Sequence, residues 1–179
     1  GNAKDESGNG NDGSVNGATL TADRFGNANS AYKFDGIDDY IGLNPLSGQK
    51  GSINVWAKVE SHTTERVIFS QGDTTTNVGN RIQLMVSRKP NSALPKAFLW
   101  NHDTRDCNSA PNQGGNMGNT NQNDSIKEND WYMFSIVSDG DTTLLYQNGL
   151  LVSIPDSAIE IPPGRWFDDL CVGSVNDAR

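Results

Sequence analysis

The strongest constraint on the fold is a series of short apolar runs that recur along the chain and are separated by turn-forming residues. The clearest run is 52–59, SINVWAKV, in which apolar and polar residues alternate and Trp56 is the exception on the polar face. Successive strand residues point to opposite faces of a sheet, so this pattern predicts a half-buried strand. Comparable runs predict further strands at 31–34, 40–43, 67–70, 82–86, 97–100, 131–137, 143–146, 150–154 and 170–173. The sequence therefore predicts an all-β, two-sheet antiparallel sandwich with little or no helix.

Turn chemistry supports the same fold. The pair Asn148 and Gly149 lies between two apolar runs and tolerates positive φ at both centres of a type I′ turn, so it predicts a hairpin over 142–152. The stretch 101–129 consists mainly of Asn, Asp, Gly and Gln, and we expect it to be a polar insertion loop. A chain of 179 residues is long enough for one substantial core, and we expect a single domain over 1–179.

Charge and hydropathy exclude two classes of partner. The net charge is -8, and no cluster of lysine or arginine offers a local basic patch, so nucleic acid would be repelled. No apolar run approaches the roughly 20 residues of a membrane-spanning helix, and the opening GNAKDESGNG is polar. We therefore expect no binding to nucleic acid, no membrane insertion and no export signal within these residues.

The two cysteines, Cys107 and Cys171, leave two interpretations open. They are either two free buried thiols or a disulfide that joins the insertion to the strand at 170–173. Cys107 has almost no apolar neighbours in sequence, which disfavours a buried thiol there. A bridge requires the two Cα atoms to come within about 7 Å.

Three passages resemble bacterial laminin-G-like domains of the concanavalin A-like lectin/glucanase superfamily. They are AKDESGNGNDGSVNGATLTADRFGNANSAYKFDGIDDYI, then GSINVWAKVE followed by VIFSQGD, and finally DWYMFSIVSDGDTTLLYQNGLLVS. The resemblance implies a jelly-roll sandwich used as a module of secreted or cell-surface proteins, commonly beside glycosidases, peptidases or adhesins. Such domains bind carbohydrate or protein. It also implies a strand before Gly1 and a last strand after 170–173, and we expect both to be missing here.

The loop near the start of the chain has the alternation of a calcium loop. Oxygen-bearing side chains stand at Asp5, Ser7 and Asn9, Gly10 occupies the sixth place, and Asn11 offers a backbone carbonyl. The twelfth place holds Asn16 instead of a bidentate glutamate, so further ligands would have to come from Asp12, Asp35, Asp38 or Asp39. The resemblance also implies a structural calcium near this loop. The alternative is an Asx-turn loop without an ion.

The acidic turn at 35–39, DGIDD, also has two interpretations. Its aspartates either accept hydrogen bonds from backbone amides of a tight turn or deliver a carboxylate to the calcium loop.

Four tryptophans fall into two pairs. Trp56 and Trp131 match positions where the resembled family keeps tryptophan, and we expect structural packing for both. Trp100 and Trp166 border polar stretches, and such rings can stack on a pyranose while polar neighbours bind its hydroxyls. The candidate glycan contacts are therefore Trp100, Asn101, Asp103, Arg165 and Trp166. The alternative is that these rings are isolated exposed aromatics without a role.

The sequence does not favour catalysis. Glycosidases on this scaffold use two closely spaced carboxylates, which on one strand would stand at alternate positions, and no predicted strand has such a pair. The two histidines, His62 and His102, stand in turn-like contexts and cannot form a histidine-rich zinc site.

We therefore predict a non-catalytic module, extracellular or at the cell surface, that binds carbohydrate with a structural calcium. Its partners would be a glycan or a surface protein, and other domains of the same polypeptide. The alternative is an adhesive or structural subunit of an extracellular assembly, completed by a strand-donating partner.

Overall fold

The computed structural model describes residues 1–44, 50–61, 66–72, 81–87, 96–102, 115–117, 125–139, 143–153 and 169–172. Within these ranges the regular secondary structure is entirely β. The strands are β1 Ser14–Asn16, β2 Thr19–Thr21, β3 Ala31–Lys33, β4 Tyr40–Leu43, β5 Lys50–Lys58, β6 Arg66–Gly72, β7 Arg81–Ser87, β8 Lys96–His102, β9 Gly115–Met117, β10 Trp131–Asp139, β11 Thr143–Gln147, β12 Leu150–Ser153 and β13 Asp169–Val172.

The strands form two main sheets and a hairpin. The seven-stranded sheet has the order β1-β4-β13-β6-β7-β8-β9, and the four-stranded sheet has the order β12-β11-β10-β5. Among the described strands, β2 and β3 pair only with each other. All the described pairings are antiparallel.

One hydrophobic core joins the two main sheets. Phe134 on β10 and Leu84 on β7 are 1% and 0% exposed, and they belong to one cluster of buried side chains. Its other members are Val59, Ile68, Phe69, Val86, Ala97, Ile126, Ile136, Leu145 and Val152. Since both sheets contribute, the predicted all-β sandwich is confirmed.

The alternation in β5 produces the predicted half-buried strand. Ile53, Val55 and Ala57 pack against the core, while the residues between them are exposed. Across the ladder Val55 pairs with Phe134, and Trp56 pairs with Met133 on the opposite face. Hydrophobic patterning therefore sets the register of this pair, because a slip of one residue would exchange the two faces.

The predicted hairpin is also confirmed. Asn148 and Gly149 have φ of 51° and 80° and connect β11 to β12. Positive φ at both centres is the type I′ geometry, whose twist matches that of the flanking strands. The Asn148 side chain accepts a hydrogen bond from the Met133 amide at 2.9 Å, and its own amide donates to the Met133 carbonyl at 2.8 Å. The turn is thereby fixed to β10.

Several details differ from the sequence predictions. Strands β1, β2 and β9 were not predicted, and β9 lies within the stretch expected to be a loop at 101–129. His102 is the last residue of β8 and not part of a turn. Cys171 lies in β13 between Gly42 and Ser70, but Cys107 lies outside the described residues, so the disulfide prediction is untested.

Candidate functional site

The outer face of the seven-stranded sheet brings a tryptophan together with two amide-bearing residues. Near the β9 edge of this sheet, Trp100 of β8 pairs with Gln83 of β7 on one side and with Asn116 of β9 on the other. The row continues to Ser70 of β6, which pairs with Gln83. Neighbouring strands lie about 4.8 Å apart, so these are adjacent positions in one line across the sheet. We call Ser70, Gln83, Trp100 and Asn116 the Trp100 row.

The register shows which face carries this row. Leu84 pairs with Leu99 and is fully buried in the core. Because successive strand residues alternate, Gln83 and Trp100 occupy positions on the face that looks away from the four-stranded sheet. Phe98 and His102 share this face with Trp100 by the same alternation.

Such a row has the composition of a sugar-binding surface. A tryptophan ring offers a broad apolar face, and amide groups both donate and accept hydrogen bonds. Hydroxyl groups of a sugar need both kinds of partner. Asn101 was predicted as a glycan contact but does not share this face. It follows Trp100 directly and so occupies a position on the opposite face.

The remaining predicted glycan contacts, Asp103, Arg165 and Trp166, lie outside the described residues. The prediction that these three residues contact a glycan is therefore untested. Gln83 and Asn116 were missed by sequence reasoning because each is far from Trp100 along the chain. A signal for Gln83 was present in the sequence, because it is the one polar residue of the apolar run 82–86.

The predicted calcium loop is closed by its own hydrogen bonds. Asp5 accepts the amide of Ser7 at 2.8 Å on one carboxylate oxygen and the amide of Asn11 at 2.9 Å on the other. Ser7 Oγ accepts a hydrogen bond from Asn9 Nδ2 at 2.9 Å, and Asp12 accepts the Asp5 amide at 2.7 Å. Hydrogen bonding from the Ser7 side chain and then from these amides lowers the pKa of Asp5 to about 2.

This geometry is that of the Asx-turn alternative, and it accounts for the loop without an ion. Each carboxylate oxygen of Asp5 has a second lone pair, so the carboxylate retains acceptor capacity. Calcium binding at Asp5, Ser7, Asn9 and Asn11 therefore stays a prediction.

The acidic turn behaves in the same way. The amide of Ile37 donates to Asp35 Oδ1 at 2.7 Å, the amides of Asp38 and Asp39 donate to the same oxygen, and the Asp35 amide donates to Asp39 at 2.8 Å. These hydrogen bonds lower the pKa of Asp35, and the bond from the Ile37 amide contributes most. Oxygens of Asp35, Asp38 and Asp39 lie within 4.8 Å of one another, the arrangement that hydrogen bonding within a tight turn produces.

A second candidate region lies beside β5. Trp56 is 42% exposed, and the guanidinium carbon of Arg24 lies 4.3 Å from its ring centroid. The same carbon lies 4.1 Å from the ring centroid of Phe25, so the guanidinium contacts two aromatic rings. Trp56 is thus partly covered by Arg24, a contact that pairs a cation with the negative face of a ring.

The loop that carries Arg24 is held by Asp23. The Asn27 side chain donates to Asp23 at 3.0 Å, and the amides of Phe25 and Asn27 donate at 2.8 Å and 2.9 Å. The pKa of Asp23 is lowered, first of all by the Asn27 side chain. Arg24 is therefore placed by an ordered turn.

A cavity of about 560 Å³ lies between this loop, β3 and β5. Lys33 at the end of β3 forms an ion pair with Glu60 just after β5, with Nζ 2.9 Å from a carboxylate oxygen. Lys58 lies over the ring of Trp131, 5.5 Å from its centroid. Arg66 donates to the Gly36 carbonyl at 3.4 Å.

Comparison with known proteins identifies the fold and no family. No protein-family model matches the chain, and no curated protein matches it. Among solved structures, the chain is similar to domain 4 of AbnA, a GH43 extracellular arabinanase from Geobacillus stearothermophilus, in complex with arabinotriose. The TM-score is 0.69 at 16% identity, over 96% of this chain and 77% of that one. In the described part of the chain, no helix is long and apolar enough to cross a membrane. The likeness establishes the chain as a β-sandwich.

Proposed function

We propose that this chain is a non-catalytic carbohydrate-binding module of an extracellular protein, related to the laminin-G-like type. The observation that carries the proposal is the position of Trp100 between Gln83 and Asn116 on an outward sheet face. The arabinotriose complex of the similar domain 4 supports it, because it shows a protein of this fold with a bound oligosaccharide.

The proposed binding mode uses the whole row. A sugar ring stacks on Trp100, while amides at Gln83 and Asn116 bind hydroxyls on either side of it. Phe98, two residues before Trp100 in β8, occupies a position on the same face. From the sequence prediction we retain Asp103, Arg165 and Trp166 as further contacts, whereas Asn101 is dropped because it occupies the opposite face of β8.

The state of the carboxyl groups supports a binding role. A general acid at neutral pH needs a raised pKa, which burial or a like charge would provide. The described carboxyl groups with shifted pKa, Asp5, Asp23 and Asp35, are shifted downward by turn hydrogen bonds. These groups therefore serve to close turns.

A calcium ion at the Asp5 loop belongs to the same proposal, with a structural role. The loop precedes β1, and the Gly13 amide donates to the Ala3 carbonyl at 2.7 Å just before this strand. An ion there would stabilise the end of the seven-stranded sheet and take no part in glycan binding.

The second candidate function is an adhesive or structural subunit completed by strand addition. It is favoured by the edge of β5, which in the described residues pairs on one side only. A strand edge of this kind is a template for another strand.

A glycan array followed by calorimetry tests the first candidate. We expect the chain 1–179 to bind an oligosaccharide, and we expect Trp100→Ala to weaken binding about 30-fold, since truncating a central aromatic anchor costs about 2 kcal/mol. The matched control is Trp56→Ala, which removes an outer-face tryptophan from the other sheet and should change affinity less than about 3-fold.

Two results would contradict the proposal, one for glycan binding itself and one for the location of the site. Failure to bind any glycan on an array that includes arabino-oligosaccharides would refute the module. Binding that survives Trp100→Ala but is lost in Trp56→Ala would keep the function and move the site to the other sheet.

A further inference from the structure

Three asparagines of this chain, Asn9, Asn16 and Asn148, are each followed directly by glycine. An asparagine in this context is prone to lose its side-chain amide, because glycine has no Cβ to obstruct an attack of its amide nitrogen on the asparagine side chain. All three asparagines are exposed to solvent. Exposure therefore does not distinguish them, and their reactivity depends on how the structure holds each one.

Asn148 is held by both its side chain and its backbone. Its side-chain oxygen accepts the Met133 amide at 2.9 Å, and its own amide donates to the Met133 carbonyl at 2.8 Å. To react, the side chain would have to turn its carbonyl carbon toward the nitrogen of Gly149 and break the bond from Met133. The hairpin therefore protects Asn148.

Asn16 is held by strand pairing. It is the last residue of β1 and pairs with Tyr40 of β4. In an extended strand the side chain stands roughly perpendicular to the sheet, which keeps its carbonyl carbon away from the next amide nitrogen. Gly17 has little room to move, because a Cβ added there would lie 1.8 Å from Asp39 Oδ1. Reaction at Asn16 would thus require the end of β1 to open.

Asn9 lies in a loop with room for the reaction. Gly8 and Gly10 on either side of it have φ of 80° and 74°, and a Cβ added to either glycine would meet no atom within 4 Å. The Asn9 side chain donates to Ser7 Oγ at 2.9 Å, an exposed hydrogen bond that water can replace at little cost.

The hydrogen bonds that close this loop do not depend on the Asn9 side chain. The Asp5 carboxylate accepts the amides of Ser7 and Asn11 at 2.8 Å and 2.9 Å. A ring between Asn9 and Gly10 breaks neither of these two bonds.

We propose that Asn9 is a site of spontaneous deamidation in the folded chain, whereas Asn16 and Asn148 are protected. The Gly10 amide nitrogen attacks Asn9 Cγ and loses its proton. The bond between Cγ and Nδ2 breaks, and the leaving nitrogen takes up that proton and departs as ammonia. Water then opens the five-membered imide at either carbonyl and leaves an aspartyl or an isoaspartyl residue at position 9.

The modification changes the chemistry of the loop before β1. The product has lost the donor that reaches Ser7 Oγ, and it carries a new negative charge in the loop that Asp5 closes. Position 9 is also the fifth place of the predicted calcium loop, where affinity depends on the charge of the ligands. This proposal does not rest on glycan binding, because the loop shares no residue with the Trp100 row.

The test incubates chain 1–179 at mildly alkaline pH, once folded and once in urea, and follows each asparagine by peptide mass spectrometry. Trypsin releases residues 5–24 as one peptide, so fragmentation must assign the change to Asn9 or Asn16. In the folded chain we expect Asn9 to convert about 10-fold or more faster than Asn148, since breaking one or two hydrogen bonds costs about that factor. In urea the three should convert at similar rates, because each is followed by glycine and the folded contacts are gone.

The matched variant is Asn9→Gln, which keeps an amide at position 9 but lengthens the side chain by one carbon, so that the five-membered ring cannot form. It should abolish the modification at position 9 and leave the rate at Asn148 unchanged. The proposal is overturned if Asn9 stays intact in the folded chain while it converts in urea. It is also overturned if Asn16 or Asn148 converts as fast as Asn9 in the folded chain, since the local contacts would then give no protection.

Discussion

The two main sheets end differently, and the difference separates their roles. In the described residues, the seven-stranded sheet ends on β1 and β9, with three residues each. The four-stranded sheet ends on β12, with four residues, and on β5, which has nine. Short edge strands leave few unpaired backbone groups, and a long one leaves many. The Trp100 row lies on a sheet whose edges are short and can offer its face to a ligand. The edge of β5 instead pairs on one side only within the described residues, which leaves its other side open to a further strand.

The largest expected effect comes from removing the core that both sheets share. Phe134→Ala deletes a side chain that is 1% exposed in the centre of the sandwich, and should lower the free energy of unfolding by about 3–5 kcal/mol. The neighbouring Met133→Ala is the control, because Met133 lies on the outer face of the same strand and should cost much less. Urea unfolding measures both.

Equal losses in these two variants would contradict the assigned faces of β10. Two separate transitions in the Phe134→Ala variant would contradict a single core and would make the sheets independent units.

Much of this contrast could be predicted from the sequence, where it depends on local patterning. The alternation around Trp56 identified β5 and its faces, and Asn148 with Gly149 identified a hairpin. Strands β1 and β9 were missed because SVN and GNM are too short to show a period and their surroundings are polar. They form because longer neighbours, β4 and β8, offer hydrogen-bonding partners.

For the candidate site, the sequence predicted Trp100 but not its cross-strand neighbours. Trp100 was identified from its polar sequence neighbours, but its partners across the sheet depend on a register set by long-range pairing. The placement of Arg24 over Trp56 depends on a turn closed by Asp23, and no sequence period links the two residues. Local sequence therefore predicts individual strands and turns, whereas contacts between them were found only in the structure.

The next effect concerns calcium at the end of the seven-stranded sheet. Extracellular calcium sites have dissociation constants of about 10⁻⁴–10⁻³ M, so 1 mM calcium should stabilise the fold by about 0.4–1.4 kcal/mol relative to EDTA. Thermal melts in the two buffers measure this. Asp5→Asn should abolish the shift and Asp35→Asn should keep it.

If the melting temperature is the same in both buffers, the calcium prediction is wrong. The reverse pattern in the two variants would place the ion at the turn formed by Asp35, Asp38 and Asp39, on the border of the β5 cavity.

A smaller effect tests how Arg24 covers Trp56 on the outer face of β5. Arg24→Ala and Trp56→Ala should each destabilise the protein, and their coupling in a double-mutant cycle should be about 0.5–1 kcal/mol, the value of an exposed cation–π contact. Arg24→Lys is the matched control, because it keeps the charge but loses the planar stack. Additive single effects would show that Arg24 does not contact Trp56 in solution.

The smallest expected effect is a pH dependence that comes from the loop before β1. The pKa of Asp5 is lowered to about 2 in the folded chain from an ordinary value of 3.8. Its carboxylate therefore stabilises the fold above about pH 4, and this contribution is lost as the pH falls toward 2, where folded Asp5 takes up its proton. Stability should thus decrease between pH 4 and pH 2, and Asp5→Asn should flatten that decrease because the titrating group is gone. The pKa values of Asp23 and Asp35 are lowered as well, so a residual slope of stability against pH should remain in the variant.

The decrease in stability is measured as melting temperature against pH in EDTA, to keep it separate from the effect of calcium. Asp12→Asn is the matched control, because Asp12 receives the Asp5 amide in the same loop. An Asp5→Asn curve parallel to that of the wild type would show that the Asp5 turn does not contribute to the stability of this edge of the seven-stranded sheet.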